Sequence, residues 1–563
     1  MYSSYFHTLS REGQTLVLQA MENLRPKYDP QAGRIARRHG ERVFYSNRSS
    51  MYYALGLMLL DEEGCAQEAE KICNAVIAQQ YDAPEEIYHG AFRNDHNPVC
   101  VPGALDHKRL GVYGRYLTDL FYERVVNQFR LNMEDDPQLA PLSLKIEQLL
   151  GRSVLETYPV VWSCYDPNYR EFIIISMAML MEYFSDKLSS QCVENLKKSC
   201  LRAMEACIYR SRSNFTPLNT NVQCMHVFLL DFFGVRFDIP EYREYALEYA
   251  EMVVGQYLAH HSAAEFNSPT YCGVDLATLG FWRRYGSCER LRELGTIMEE
   301  GIWEDMMAFY NPAMQTFCGP YSRAYELDMK IHTNFPSLLH MALGEEKYPE
   351  HPFNIESDGD LLLVFGDILM PESAKKAVFE PKEDVVLTRQ FRELSERGDP
   401  DNNNALCTAT AWISPDMMTG AMAGSENPSH QLHPLVAFWR GEKGIGTIKV
   451  LRSTPDGDMN HLHTVYFNGV ADRQHLTLDV DFAVNRDVKL FFEIEYPDVC
   501  NTARITADLW KLPGLNLHMQ SRAPEFFLEK GRNDNVLKVC YLSRARIPET
   551  KQMSFDMTLE LVK

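Results

Sequence analysis

Apolar residues recur at three- and four-residue spacing through most of the chain up to about residue 345, as they do in helices that bury one face. Polar residues that commonly cap helices open several of these segments, and Asn219 before the apolar run 222–233 is the clearest case. Since no repeat period of about twenty to fifty residues is visible, the segments should pair as antiparallel hairpins that close into an α/α toroid. On the order of ten to twelve helices are expected, and the clearest cover residues 15–24, 51–60, 66–80, 110–133, 169–188, 191–210, 222–234, 242–258, 274–285 and 290–309.

Beyond about residue 355, short runs alternate apolar and polar residues, and turn-rich segments separate them. This pattern predicts an antiparallel β-sandwich rather than strands that alternate with helices. We therefore expect two domains, an α/α toroid in residues 1–350 and an antiparallel β-sandwich in residues 351–563, with the boundary between Lys347 and Asp358. The predicted strands cover residues 360–366, 385–391, 405–413, 447–451, 464–467, 475–482, 488–495, 504–509, 536–542 and 553–561.

Composition and charge narrow the range of partners. The chain has 563 residues, too many for one compact core, and its 45% hydrophobic and 24% charged residues are ordinary for a globular protein. The formal net charge of −21 argues against nucleic acid and membrane surfaces as partners, since both attract basic proteins. An anionic sugar remains compatible with this charge, because a few arginines in one cleft can reverse the local field.

The N-terminal residues lack a basic stretch followed by an apolar one, and no stretch reaches the ~20 apolar residues that span a bilayer. The 14 cysteines are scattered and form neither CxxC pairs nor a Cys/His spacing typical of metal sites. We therefore expect a cytoplasmic protein with reduced, buried cysteines.

Three polar clusters interrupt the helical sequence. Residues 219–221 (Asn-Thr-Asn) open one predicted helix, and residues 265–271 (Glu-Phe-Asn-Ser-Pro-Thr-Tyr) open another. The third cluster, residues 319–328 (Gly-Pro-Tyr-Ser-Arg-Ala-Tyr-Glu-Leu-Asp), lies in a long loop that ends at His332. Each has an ordinary structural explanation, namely a helix cap, a helix start with proline in its first turn, and an arginine–carboxylate pair that holds a loop. Because a toroid brings successive helix ends to one rim, the three clusters are expected to lie together.

The order and spacing of the first two clusters resemble the heparinase II/III-like and alginate-lyase-like group of polysaccharide lyases. Such proteins place a helix that begins with asparagine before a second helix preceded by Glu-x-x-Ser-Pro-x-Tyr. Here the corresponding residues are Asn219-Thr220-Asn221-Val222-Gln223 and Glu265-Phe266-Asn267-Ser268-Pro269-Thr270-Tyr271. Spread over roughly residues 160–480, the resemblance implies a toroid followed by a β-sandwich, and β-elimination at a uronate sugar of an acidic oligosaccharide.

Elimination requires a neutralised substrate carboxylate, a base for the carbon-bound proton and an acid for the leaving glycosidic oxygen. The resemblance implies that Asn219 or Asn221 holds the carboxylate and that Tyr271 is base, acid or both, with support from Arg323 and Tyr325. The predicted catalytic residues are Asn221, Tyr271, Arg323, Tyr325 and His332. The predicted substrate-binding residues are Asn219, Glu265, Asn267, Tyr321, Asp328, Trp162 and Tyr165.

The chain departs from the family pattern at its histidines. Members of the group frequently carry histidine directly after the asparagine or the tyrosine, where this chain has Thr220, Val222 and Cys272. A replacement could come from elsewhere in the chain, and the candidates are His226, His260, His261, His332, His89, His96 and His107.

Two other classes of function fit the same residues. A toroidal glycoside hydrolase acting on uronyl oligosaccharides would use paired carboxylates, Glu265 with Asp328 or Glu326, or with Asp95. A non-catalytic glycan-binding protein would keep only aromatic residues that stack on sugars, for which Trp162, Tyr165, Tyr321 and Trp282 are candidates. Epimerisation shares the proton abstraction beside a carboxylate.

The sequence predicts no cofactor. His461 and His463 lie on one face of a predicted strand, downstream of Asp456 and Asp458, and are weak candidates for metal ligands. The resemblance allows a structural divalent metal in the β-domain, whereas a paired-strand surface is the simpler explanation. His433, beside Pro434, would be an extra ligand only if the fold brings it close.

Overall fold

The protein is described from a computed structural model that covers residues 2–39, 42–84, 88–93, 121–157, 166–213, 219–349, 354–393, 405–457, 459, 462 and 464–562. The first part of the chain is helical. Its helices are α1 (Arg11–Leu24), α2 (Asn47–Leu60), α3 (Cys65–Ile77), α4 (Asn127–Glu134), α5 (Ser143–Thr157), α6 (Tyr169–Phe184), α7 (Ser190–Ser213), α8 (Thr220–Arg236), α9 (Pro240–His260), α10 (Cys272–Tyr285), α11 (Glu289–Phe309), α12 (Phe335–Leu343), α13 (Asp360–Leu363) and α14 (Glu372–Ala377). A last short helix, α15 (Val499–Thr502), lies among the strands.

Six helices form a closed ring. In order, α1 packs on α2, α2 on α6, α6 on α8, α8 on α10 and α10 on α12, and α12 returns to α1. Four outer helices, α3, α7, α9 and α11, each pack on the inner helix that precedes them in the chain. The predicted α/α toroid of helical hairpins is therefore confirmed.

Three of the six ring helices, α2, α6 and α8, are buried on nearly every side, whereas α1 buries one face. In α8 every residue from Thr220 to Gly234 is buried, and α2 and α6 are buried almost as completely. The outer helix α9 instead buries one face, through residues such as Ala246, Tyr249 and Val253. A helix that is hydrophobic all round must be surrounded by others, whereas an amphipathic helix covers a surface.

The C-terminal part forms one curled antiparallel sheet of 14 strands, as expected for the predicted antiparallel β-domain. Its main path runs β14-β15-β16-β19-β12-β11-β8-β9-β10-β13-β18-β17, while β7 pairs with β8 and β6 with β7. The strands are β6 (Val385–Arg392), β7 (Leu406–Ile413), β8 (Met417–Ser425), β9 (Leu435–Gly441), β10 (Gly444–Ser453), β11 (Val465–Asp472), β12 (His475–Phe482), β13 (Val488–Glu495), β14 (Arg504–Ile505), β15 (Leu509–Leu512), β16 (Leu515–Arg522), β17 (Phe527–Lys530), β18 (Val536–Ser543) and β19 (Gln552–Leu561). Five short strands lie among the helices: β1 (Tyr28–Asp29), β2 (Arg34–His39), β3 (Arg42–Ser46), β4 (Tyr310–Asn311) and β5 (Thr316–Phe317).

Two predicted strands differ from the structure. Residues 504–509 divide into the strands β14 and β15 with a turn between them, and residues 360–366 are not a strand. Residues 360–366 form α13 and the turn after it, and this segment packs against α1 and α2 inside the toroid. Leu361, Leu363 and Phe365 are buried there, and the Asp360 carboxylate accepts a hydrogen bond of 2.9 Å from Ser337 Oγ. A short apolar run fits a buried helix as well as a strand, and only its neighbours decide between them. The division of the chain at residue 350 stays a prediction.

The long loop 319–328 joins the toroid to the sheet. Tyr321 and His433 exchange backbone hydrogen bonds of 3.2 and 3.0 Å, which pairs the loop with the chain just before β9. Gly420 on β8 faces the same loop, and a Cβ atom there would overlap the backbone carbonyl of Gly319. The loop is thus held against the sheet by backbone contacts.

The predictions about membrane-spanning segments and about the cysteines can be compared with the structure. Within the described ranges, none of the helices combines the length and the apolar character that a bilayer span requires. The cysteines in the same ranges are free thiols, and most are buried. The cytoplasmic location stays a prediction.

The buried carboxyl of Glu393, just after β6, predicts a pH-dependent stability. Burial raises the pKa of Glu393 to about 7, although hydrogen bonds from Ser425 Oγ and the backbone N–H of Glu426 oppose the rise. Because the folded state binds this proton more tightly than the unfolded state, the stability it contributes is complete below about pH 4.5 and is lost as the pH rises through about 7. Between about pH 5.5 and about pH 8, the wild type should lose about 2 kcal/mol more unfolding free energy than Glu393→Gln. Urea denaturation at both pH values measures the difference, and parallel pH dependence in the two proteins would contradict the assignment.

Candidate functional site

The carboxylate of Glu265 lies buried at the mouth of the toroid. It accepts a hydrogen bond of 3.1 Å from the backbone N–H of Thr220 and another from the side-chain amide of Asn221. Arg323 Nη1, from the loop 319–328, lies 3.9 Å from Glu265 Oε1. Because the first N–H groups of a helix have no partner within the helix and carry partial positive charge, the start of α8 is a suitable place for this carboxylate.

Glu265, rather than Asn219, caps α8. Asn219 occupies the N-cap position, but its side chain makes no capping hydrogen bond. Its amide nitrogen is buried and has no hydrogen-bond partner among the described residues. Thr220 Oγ1 instead accepts a hydrogen bond of 2.8 Å from the backbone N–H of Ala264, which ties the segment that carries Glu265 to the helix start.

Tyr271 and Arg323 meet on the side chain of Gln431. The Tyr271 hydroxyl donates to Gln431 Oε1 at 3.1 Å, and Arg323 Nε donates to the same oxygen at 2.9 Å. The Arg323 guanidinium also lies 4.5 Å from the centre of the Tyr271 ring. A cation over an aromatic face is attracted by the ring, so the two side chains fix one another as well as Gln431.

Gln431 belongs to the segment between β8 and β9, and sequence reasoning missed it. Its backbone carbonyl accepts a hydrogen bond of 2.9 Å from Ala324, and His433 Nε2 lies 3.0 Å from the carbonyl oxygen of Ala324. The sequence around it, Gln431-Leu432-His433-Pro434, has no pattern that indicates a site. Only the pairing of the loop with the sheet brings this amide to Tyr271.

A second group of side chains continues the site outward from Tyr271. The Tyr325 ring lies 6.1 Å from the Tyr271 ring and 4.7 Å from the His332 ring, between centroids, and Tyr325 is 41% exposed. His332 Nδ1 is 3.4 Å from Glu356 Oε1, and Arg48 Nη2 is 3.2 Å from Glu356 Oε2. Burial would raise the pKa of Glu356, but Arg48 and His332 together lower it to about 2. Glu356 is therefore a carboxylate that holds both partners.

A second buried carboxyl, that of Asp275, lies within the electrostatic influence of Glu265. Asp275, in the first turn of α10, is fully buried, and neither carboxyl oxygen has a hydrogen-bond partner among the described residues. Burial and the charge of Glu265 raise the pKa of Asp275 well above its usual range. Of the two carboxyls, Glu265 is the one that accepts hydrogen bonds from N–H donors.

Three residues predicted to bind substrate hold the structure of the loop instead. Tyr321 is fully buried, and its hydroxyl donates to the backbone carbonyl of Phe317 at 2.6 Å, so its ring is not open to a sugar. Asn267 is also buried and donates to the carbonyls of Cys318 and Pro320 at 2.6 and 3.0 Å. Asp328 accepts hydrogen bonds from the backbone of Lys330 and Ile331, within its own turn. Trp162, Tyr165, His461 and His463 lie outside the described residues.

Of the candidate histidines, His332 is the one that the structure places beside Tyr325. His226 is fully buried in α8, and burial lowers its pKa to about 3. His260 accepts a hydrogen bond of 3.1 Å from Arg392, at the far end of α9 from its start. His89 lies 3.7 Å from Glu205. His261 follows α9 with a backbone φ of 47°, and His96 and His107 lie outside the described residues.

The hydrogen bonds of Asn267 predict how much this side chain contributes to the unfolding free energy. Asn267→Gly should lower the unfolding free energy by about 2 kcal/mol, because the buried carbonyls of Cys318 and Pro320 lose their donor. Asn267→Ala should lower it by about 1 kcal/mol more, since the backbone φ of 54° is unfavourable for alanine and not for glycine. Denaturant unfolding of both variants measures the two effects separately. Wild-type stability in Asn267→Gly would show that the amide does not hold the loop.

Comparison with solved structures finds polysaccharide lyases. The chain is similar to heparinase III (8% identity, 88% of this chain and 90% of that one, TM-score 0.34). It is also similar to the chondroitin AC lyase of Streptomyces coelicolor in complex with chondroitin sulphate (10% identity, 91% and 82%, TM-score 0.38). A heparan sulfate lyase from Pedobacter heparinus gives 11% identity, 98% and 88% coverage and a TM-score of 0.30. The expected resemblance is confirmed as a distant likeness of fold, and at TM-scores this low it says nothing about chemistry.

Sequence comparison gives a family without an assigned activity. No curated protein matches the chain. The model of a domain of unknown function, DUF8769, matches residues 14–114 and 152–361, which is more than half of the chain and includes Asn221, Glu265, Tyr271 and Arg323. The chain therefore belongs to the DUF8769 family.

Proposed function

We propose that this protein is a lyase that cleaves uronate-containing oligosaccharides by β-elimination at the mouth of the toroid. The observation that carries the proposal is the meeting of Tyr271 and Arg323 on Gln431, next to the Asn221–Glu265 pair. This arrangement combines a proton-transfer group, a cation and an amide within one constellation of hydrogen-bonded side chains. Those are the groups that removal of a proton beside a carboxylate requires.

Asn221 and Arg323 would hold the carboxylate of the sugar. The Asn221 amide and the Arg323 guanidinium both approach Glu265 Oε1, so one buried carboxylate orients both donors. A guanidinium has five N–H donors, enough to keep Gln431 and also bind a substrate carboxylate. When the carbon-bound proton leaves, negative charge moves onto the carboxylate oxygens, and fixed donors stabilise that charge without reorganisation.

Tyr271 would transfer the proton. Its ring lies under the Arg323 guanidinium, whose positive charge stabilises negative charge on the phenol oxygen. In the proposed step, the phenolate takes the proton from the carbon next to the carboxylate. The electron pair forms a carbon–carbon double bond, and the bond to the glycosidic oxygen breaks. That oxygen receives a proton from Tyr271 or from the neighbouring Tyr325 and His332.

The surroundings of Glu265 favour elimination over hydrolysis. A hydrolase needs two carboxyl groups that flank the glycosidic bond, one of them able to donate its proton. Glu265 is buried and accepts hydrogen bonds from Thr220 and Asn221, which suits a fixed charge rather than a proton donor. Asp328, its proposed partner, caps its own turn.

The proposal predicts a spectroscopic change. Incubation with a panel of uronate oligosaccharides should raise ultraviolet absorbance, because elimination creates a double bond conjugated with the carboxylate. Tyr271→Phe should lower kcat by about 10²–10⁴-fold, since it removes only the hydroxyl. Tyr2→Phe is the matched control, because Tyr2 is 41% exposed and stacks on Phe6 at the N-terminus. A Tyr271→Phe enzyme as fast as the control would show that another group transfers the proton.

Glu265→Gln separates elimination from hydrolysis. If Glu265 only orients Asn221 and Arg323, the variant should still form unsaturated product, with kcat lower by about tenfold to a hundredfold. If Glu265 were a hydrolytic acid, the wild type would release reducing ends without a rise in absorbance, and Glu265→Gln would be inactive. Measuring reducing ends and absorbance on the same samples distinguishes the two reactions.

A further inference from the structure

Three side chains from three successive helices meet in the interior of the toroid. Glu171 lies in the first turn of α6, Cys207 near the end of α7 and His226 in the second turn of α8. One ligand atom from each lies within 4.8 Å of the other two, and all three residues are buried. No motif joins them, because each comes from a different helix.

The imidazole of this cluster lacks an ordinary hydrogen-bond partner. Neither ring nitrogen of His226 has a hydrogen-bond partner among the described residues, and the Glu171 carboxyl faces the Cys207 thiol, which is a weak donor. The His226 and Glu171 side chains are fully buried. Buried polar groups are nearly always satisfied, and an orphaned one is costly, so an unpartnered imidazole within 4.8 Å of a thiol and a carboxyl indicates a ligand among the three.

We propose that Glu171, Cys207 and His226 bind a divalent transition-metal ion, with Zn²⁺ the best match. A thiolate, an imidazole and a carboxylate are the three ligand types that proteins use for zinc. Bonds of about 2.0–2.3 Å in tetrahedral geometry place ligand atoms roughly 3.3–3.8 Å apart, so a shift of about 1 Å brings these atoms to bonding distance. A water supplies the fourth ligand in sites with three protein ligands.

Charge near the cluster is compatible with such an ion. The guanidinium groups of Arg170 and Arg210 act on the Glu171 carboxyl, and Arg210 Nη1 donates to Asn168 Oδ1 at 2.7 Å. The positive charge of these two guanidinium groups opposes the binding of a cation. The two anionic ligands, the Glu171 carboxylate and the Cys207 thiolate, offset that charge. Because the Cys207 thiol loses its proton when the metal binds, the cluster gains one positive charge rather than two.

The site would be independent of the reaction proposed above. It joins α6, α7 and α8 close to the end of the ring at which α8 begins. Asn221, in the first turn of α8, lies five residues before His226. Metal binding would hold the start of α8 in place, as folding-coupled zinc sites do. Its test therefore needs no substrate.

Metal content of the full chain provides the first test. After purification with Zn²⁺ present and removal of loosely bound ions, mass spectrometry of the metal should find about one Zn²⁺ per chain. Cys207→Ser and His226→Gln should lose this ion and the thermal stabilisation that Zn²⁺ gives. Cys200→Ser is the matched control, since Cys200 is also buried in α7, beside Met177. Equal zinc in Cys207→Ser and Cys200→Ser would overturn the proposal.

Cobalt substitution provides a readout that does not depend on the variants folding. Co²⁺ in the wild type should give the near-ultraviolet charge-transfer absorption of a thiolate–Co²⁺ bond and visible bands of tetrahedral intensity. The same spectrum should appear in Cys200→Ser. Wild-type protein that binds Co²⁺ without thiolate absorption, or that binds none, would overturn the site even if Cys207→Ser proved unstable.

Discussion

The buried charge of Glu265 is the interaction on which the mouth of the toroid depends. A carboxylate without water is strongly destabilising unless donors surround it. Here the donors are the first N–H of α8, the Asn221 amide and, slightly further away, the Arg323 guanidinium. One charge therefore fixes the helix start, the segment before α10 and the loop 319–328 relative to one another. The loss of any partner would leave part of that charge unsatisfied.

The candidate site needs a residue from the sheet as well as residues from the toroid. Tyr271 and Arg323 both come from the helical part, yet the oxygen that joins them belongs to Gln431, between β8 and β9. The backbone pairing of Tyr321 with His433 brings this amide into place, and the absence of a side chain at Gly420 lets the loop approach β8. The candidate site is thus a product of the junction between the two parts, and neither part alone holds all of its residues.

Periodicity in the sequence was sufficient to predict the ring and the antiparallel sheet, because both depend on which residues are apolar. It was insufficient for residues 360–366. Their apolar run is compatible with a helix or a strand, and only its packing against α1 and α2 shows that it is a helix. The polar clusters marked Asn221, Glu265, Tyr271 and Arg323, but they did not separate residues that face the mouth from Tyr321 and Asn267, which hold the loop. Gln431, and the meeting of Glu171 with Cys207 and His226, could not be predicted, since such contacts arise only from tertiary packing.

The proposed anionic substrate would have to bind to a chain of net charge −21. Among the described residues, these three arginines each have an acid beside them: Arg323 has Glu265, Arg48 has Glu356 and Arg37 has Asp358. Glu265 and Glu356 are held by several donors, so a sugar carboxylate would join these groups rather than displace the acids. Binding would then rely on donors that are already oriented, more than on a positive field that attracts the ligand from a distance. Fixed donors of this kind stabilise charge best when it develops during the reaction, which is where an eliminating enzyme needs them.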